Sequence, residues 1–99
     1  MKQQPPPPKH LSVEGRRMWS KLLDEFALDD AAGLALLQAA CEARDRSQQA
    51  RQMIAKDGLV LEDRFGQQKA HPACAIERDA RGQMIAALRA LRLDVEAVT

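Results

Sequence analysis

The sequence predicts a mainly α-helical protein of three helices, the second one long, with a short β-hairpin between helices 2 and 3. Three observations carry that prediction. Apolar residues recur at three- and four-residue spacing before Gly58 and again after Pro72, the period of a helix with one buried face. No proline interrupts the chain between Asp30 and Gly58, so one helix can run the whole way. Within residues 59–81, LVLEDRFGQQKAHPACAIERDAR, the pattern changes abruptly from helix to strand and back.

Taken in order, residues 1–10 read as a flexible proline-rich basic arm. MKQQPPPPKH holds four consecutive prolines, which deny the backbone helix and favour extended polyproline II. Lys2, Lys9 and His10 make it mildly basic. It is either a disordered leader or an arm that lies along a partner or a phosphate backbone. Residues 11–93 form the helical domain, and residues 94–99 a short tail.

Helix 1 should begin at Ser12, whose hydroxyl can cap the first free N–H groups, with Glu14 in the positive end of the dipole and Leu11 as a hydrophobic staple. Trp19, Leu22, Leu23 and Phe26 supply one apolar stripe. Gly15 weakens the first turn and permits close approach of another backbone. Arg16, Arg17 and Lys21 sit on or beside the opposite face, either as a solvated helix surface or as a continuation of the basic arm.

Asp29 and Asp30 both suit the start of helix 2, and Gly58 has the character of its C-terminal cap. At roughly 28 residues this helix would be about 42 Å long. Leu34, Leu37 and Cys41 build a core stripe in its first half, and Met53 and Ile54 resume one near its end. The intervening ARDRSQQARQ is polar almost all round, so it must be solvated, line a channel, or pair its charges with a neighbouring subunit. Arg44, Arg46 and Arg51 are the candidates for such a basic lining, with Glu42 and Asp45 able to neutralise two of them.

In the hairpin, Leu59, Val60 and Leu61 form the outgoing strand, Arg64-Phe65-Gly66-Gln67 the turn, and Gln68-Lys69-Ala70 the return. The apolar side of its first strand is expected to pack on helix 3 or on a neighbouring subunit. Helix 3 starts near Pro72, which suits a first turn because its missing N–H would have no intrahelical partner there, and runs to about Leu93. Ile76, Ala80, Met84, Ala87, Leu88 and Leu91 follow helical spacing, while many alanines keep the helix thin enough for close approach.

Composition narrows the function. Fifteen basic against fourteen acidic residues in a 99-residue chain, a net charge of +1, exclude a whole-chain polyelectrolyte binder, so any nucleic-acid contact must come from local patches. With only Trp19, Phe26 and Phe65 as aromatics the core is thin, and long helices then gain from burying faces against copies of the same chain; an oligomer is expected. Cys41 and Cys74 fall inside apolar helix faces without a CxxC partner and read as reduced core residues. No apolar run approaches bilayer length, so a soluble protein is expected. His71 and Cys74 are spaced to share a helix face as a base and thiol, yet no third orienting group accompanies them; His10, Cys41, His71 and Cys74 lack the close pairing of structural zinc. No catalytic residue, metal or cofactor is therefore expected.

HLSVEGRRMW, LDDAAGLALLQAACEARDRSQQAR and, above all, GLVLEDRFGQQKAHPACAIERDAR resemble the small subunit of bacteriophage terminase, over about residues 11–93. The resemblance rests on the order and spacing of these pieces. It implies a mainly helical, ring-forming homo-oligomer that binds double-stranded viral DNA at the packaging start site, cos or pac, in the cytoplasm of the infected bacterium. It also implies regulation of the terminase large subunit, which carries the ATPase and nuclease. The family often places DNA binding in its N-terminal helical part, here helix 1 with its arm, although no three-residue turn leads to a second short recognition helix. Repeated phosphate contacts from many subunits are the expected mode, through Lys2, Lys9, Arg16, Arg17 and Lys21. The competing expectation is an oligomeric structural adaptor that binds a protein partner without direct DNA recognition.

Overall fold

Ser12 caps the first helix: its hydroxyl accepts from the Gly15 amide at 3.0 Å. The computed structural model describes residues 4–91, in the order α1 (Val13–Glu25), α2 (Ala31–Asp57), β1 (Val60–Glu62), β2 (Gln68–Ala70) and α3 (Pro72–Ala90). The architecture is the predicted one, three helices with a two-stranded antiparallel hairpin between the second and third. At α2, Asp30 occupies the N-cap position but its side chain makes no capping hydrogen bond, and at the far end the Gly58 amide closes the helix on the Ile54 carbonyl. The expected extension of α3 to Leu93 lies outside the described residues; within them the helix closes with Leu91 as its cap.

The strands pair Val60 with Ala70, Leu61 with Lys69 and Glu62 with Gln68. Gly66 takes φ 79° at the turn, the left-handed conformation for which its missing Cβ is suited. Asp63 does more of the closing than sequence reading assigned it: its Oδ1 accepts from the amides of Phe65 (2.8 Å) and Gln67 (2.9 Å), while its own amide donates to the Gln67 carbonyl. Leu59 and Val60 stay exposed, and only Leu61 is half-buried.

After the hairpin, α3 runs back antiparallel to α2, from the Asp57–His71 contact at one end to Leu91 at the other, packed against the cluster that includes Leu37 and Cys41. Ala73, Ala80 and Ala87 are buried on α3 at seven-residue intervals, and Ala40, Ala43, Ser47 and Ala50 are buried on α2. A seven-residue repeat keeps one seam facing the partner helix, and methyl side chains let the two backbones come close. This seam corrects the reading of ARDRSQQARQ. Its Ala43, Ser47 and Ala50 face α3, so the segment is a helix contact through its small residues and a charged surface through its long ones. For the same reason Met53 and Ile76, expected in core stripes, are 51% and 47% exposed: two helices in contact along alanines leave their larger neighbours at the flanks uncovered.

A second packing unit sits where α1 meets the first half of α2. Leu11, Trp19, Leu23, Leu37 and Cys41 are buried together, with Met18, Leu22, Leu28, Leu34 and Leu91 packed around them. The whole is elongated, 62 Å by 29 Å by 19 Å.

Candidate nucleic-acid interface

The helix that carries the expected DNA-contacting residues is fixed by one carboxylate of its neighbour. Asp45 of α2 accepts from the Ser12 amide (2.7 Å, Oδ2) and from the Ser12 hydroxyl (2.6 Å, Oδ1), while Ser12 in turn accepts from Gly15. Arg44 donates to Asp45 Oδ1 at 3.2 Å. Burial pushes the Asp45 carboxyl up, and the Ser12 hydroxyl and amide with the Arg44 guanidinium outweigh it, leaving the group below its ordinary value. A Cβ on Gly15 would lie 2.6 Å from Asp45 Oδ1, so any side chain there would displace the carboxylate that holds Ser12. Sequence reading anticipated the close approach at Gly15 and the Ser12 cap, and assigned Asp45 only to local neutralisation. A contact spanning 33 residues depends on the crossing of two helices, which no periodicity reports.

The described part of the proline-rich segment is tied to the same unit. Trp19 Nε1 donates to the Pro5 carbonyl at 3.0 Å, Gln4 Nε2 to Asp24 Oδ1 at 2.6 Å, and His10 Nε2 meets Glu42 Oε2 at 2.6 Å. The expected flexible arm therefore lies against α1 from Gln4 onward, because an indole N–H buried at Trp19 must find an acceptor and a proline carbonyl supplies one. A hollow lined by Pro5, Leu23, Phe26, Leu28 and Leu34 opens beside it.

Lys9, Arg16, Arg17 and Lys21 are all exposed, and Lys2 lies outside the described residues. Arg17 is held by Glu14, with Nη1 3.0 and 3.2 Å from the two carboxylate oxygens. Among the described residues no acidic partner holds Lys9, Arg16 or Lys21, which leaves their donors available to an anion. Five residues separate Arg16 from Lys21, about 140° around the helix axis. They therefore flank the exposed face of α1, with Arg17, held by Glu14, between them, and do not form one continuous strip. Towards the C-terminal end of α1 and the start of α2 the charge turns negative through Asp24, Glu25, Asp29 and Asp30.

The arginines of α2 separate. Arg46 Nη1 donates to Gln83 Oε1 at 3.3 Å, whereas Arg44 and Arg51 face another side of the α2–α3 pair with Arg81. Cys41 and His71 occupy structural positions, whereas Cys74, expected in the core, is only half-buried because it lies at the flank of the alanine seam. Cys41 has no exposed surface, and burial first, then the Asp45 carboxylate, pushes its thiol up to about 11, with Arg44 opposing. His71 is the N-cap of α3 through its ring: Nδ1 accepts from the Ala73 amide at 2.9 Å, so the proton is on Nε2 and is directed to Asp57 Oδ2, also at 2.9 Å. Both ring nitrogens are thus engaged away from Cys74, whose Sγ lies 3.9 Å from the Leu59 carbonyl. The local spacing of His71 and Cys74 does not reveal Asp57, 14 residues away, as the partner of the ring. Among the described residues no three His, Cys, Asp or Glu side chains converge as metal ligands, and no helix is long and apolar enough to cross a membrane.

No curated protein and no solved structure matches the chain. A family model described as phage terminase, small subunit, matches residues 15–98, which takes in all but the first two residues of α1, the long α2, the hairpin and α3. The same segment holds most of the ordered pieces that carry the sequence resemblance, of which the first begins at His10, and with a match over most of its length the chain belongs to the phage terminase small subunit family, with a role in phage DNA packaging.

Proposed function

We propose that the protein binds packaging-site DNA, cos or pac, as a ring-like homo-oligomer in the cytoplasm of the infected bacterium and recruits or regulates the terminase large subunit, without catalysis of its own. The observation that carries this reading is the group of exposed cations without acid partners among the described residues, Lys9, Arg16 and Lys21, on and beside a helix locked to α2 through Asp45. Arg17 and the basic residue Lys2 belong to the same proposed surface. A few phosphate contacts per subunit are weak singly, and many subunits acting on one duplex multiply them. Assembly would use the α2–α3 arm and the hairpin, where Leu59, Val60 and Phe65 are exposed at 65%, 54% and 75%.

Mobility-shift titration with the packaging-site region of the parent phage genome tests the proposal. Wild-type protein is expected to bind with an affinity that falls steeply as salt rises, because displaced counterions drive the association. Arg16→Glu with Arg17→Glu should weaken binding and leave the oligomer intact. Unchanged affinity in that variant would remove α1 from the DNA surface. A wild type that binds no duplex would instead favour the adaptor reading, which the near-balanced charge of +1 supports.

A further inference from the structure

The middle of the arm carries a second group of cations, separate from those of α1. On α2, Arg44, Gln48 and Arg51 recur at four- and three-residue spacing, and on α3 Glu77, Arg81 and Met84 repeat that spacing, so two rows flank one side of the alanine seam. Between the rows lies a hollow of about 140 Å³ lined by Arg44, Ser47, Gln48, Arg51, Arg81 and Met84. Glu77, with only 15% of its side chain exposed, anchors the group. Ser47 Oγ donates to its Oε2 at 2.9 Å, Arg51 Nε lies 3.5 Å from the same oxygen, and Arg81 Nη2 lies 3.7 Å from Oε1. The Ser47 hydrogen bond, opposed by burial and reinforced by Arg81 and Arg51, holds the Glu77 carboxyl below its ordinary value, so it stays ionised. Arg44 is held in turn by Asp45 at 3.2 Å.

Each arginine is thus oriented through one nitrogen on a fixed carboxylate, while a guanidinium has five N–H donors. Three guanidinia against two carboxylates leave one positive charge around the hollow. Side chains already held in place lose less freedom when a ligand arrives. Donors converging from three points of a rim suit a tetrahedral oxyanion, whereas a planar carboxylate is satisfied by one guanidinium fork. We propose that this groove between α2 and α3 binds the oxyanion of a phosphate group, with Arg44, Arg51 and Arg81 as donors and Ser47 and Gln48 at its floor and rim. The site shares no cation with the α1 surface, although Asp45 holds both Ser12 and Arg44.

Nuclear magnetic resonance of the arginine side-chain N–H groups in the full-length protein tests it, with two titrants: inorganic phosphate and a short duplex of arbitrary sequence. Saturable shifts at Arg44, Arg51 and Arg81 on adding phosphate are expected, with affinity about tenfold weaker in Arg81→Gln, since one charge-assisted contact is lost. That variant keeps Ser47 and Arg51 on Glu77; Arg51→Gln, which keeps Arg81 there, is the second variant should the first unfold. Shifts of the same groups with the duplex, persisting in Arg16→Glu with Arg17→Glu, identify the ligand as a nucleic-acid backbone phosphate and remain whatever happens to the α1 reading. Shifts with inorganic phosphate alone identify a free phosphate species. Absence of saturable shifts with both titrants, or undiminished affinity in both folded variants, overturns the site.

Discussion

The elbow where α1 meets α2 and the arm formed by α2 and α3 are stabilised in opposite ways. The elbow fills space with large side chains, Trp19, Leu23 and Leu37, and fixes the crossing with one half-buried carboxylate, Asp45. The arm removes space, bringing two backbones together along Ala73, Ala80 and Ala87 and placing its polar chemistry at the flanks, on Glu77 and His71. The difference teaches that volume has opposite signs in the two regions: the elbow is vulnerable to loss of side-chain bulk, the arm to its gain. It also separates two surfaces, an elbow carrying exposed cations on a short helix and an arm presenting apolar flanks at Met53, Leu59, Val60 and Ile76.

The largest effect should come from emptying the elbow. Leu37→Ala removes a side chain with no exposed surface and is expected to cost about 2–5 kcal/mol, measured by urea unfolding, with Trp19 emission moving to the red as water enters. A stability loss confined to the arm, with Trp19 emission unchanged, would break the comparison. Next comes overfilling the arm: Ala80→Leu adds bulk at a position 1% exposed and should cost about 1–3 kcal/mol in the same assay, whereas a neutral or stabilising outcome would mean that the seam is looser than its burial indicates.

Acid should act on both regions together. Asp45 and Glu77 have folded-state pKa values below their ordinary ones, so they bind protons more weakly when folded than when unfolded. Their stabilisation is present above the ordinary carboxylate range, about pH 4, and is lost as pH falls through the depressed values. Thermal unfolding followed from neutral pH downward should show a falling midpoint in this window, and Asp45→Asn should flatten part of the fall. The smallest effect is expected from Arg17→Ala. Its pair with Glu14 is exposed on the surface of α1 and contributes at most about 0.5 kcal/mol, so a melting shift beyond that would assign Arg17 a role in the fold.

Much of this division was legible in the sequence. The start of α1 at Ser12, the uninterrupted α2, its closure at Gly58, the strands around Gly66 and the Pro72 start of α3 all follow from local chemistry that acts within a few residues. What was not legible depends on how helices cross. Periodicity assigns Arg44, Arg46 and Arg51 to a polar segment, yet only the position of α3 decides that Arg46 turns to Gln83 while Arg44 and Arg51 join Arg81. Asp45 and Pro5 likewise gain their partners through contacts with Ser12 and Trp19 that no local pattern encodes. Among the expected DNA-contacting residues, the sequence identified cations on the exposed face and did not show that Glu14 occupies Arg17.

The separation of the two surfaces is tested most directly by sedimentation velocity of Arg16→Glu with Lys21→Glu in the presence of a labelled packaging-site duplex. The account predicts that the variant sediments as the same oligomer as the wild type while the duplex remains free under conditions in which the wild type carries it. Co-sedimentation of the duplex at wild-type affinity, or dissociation of the variant into subunits, would contradict it.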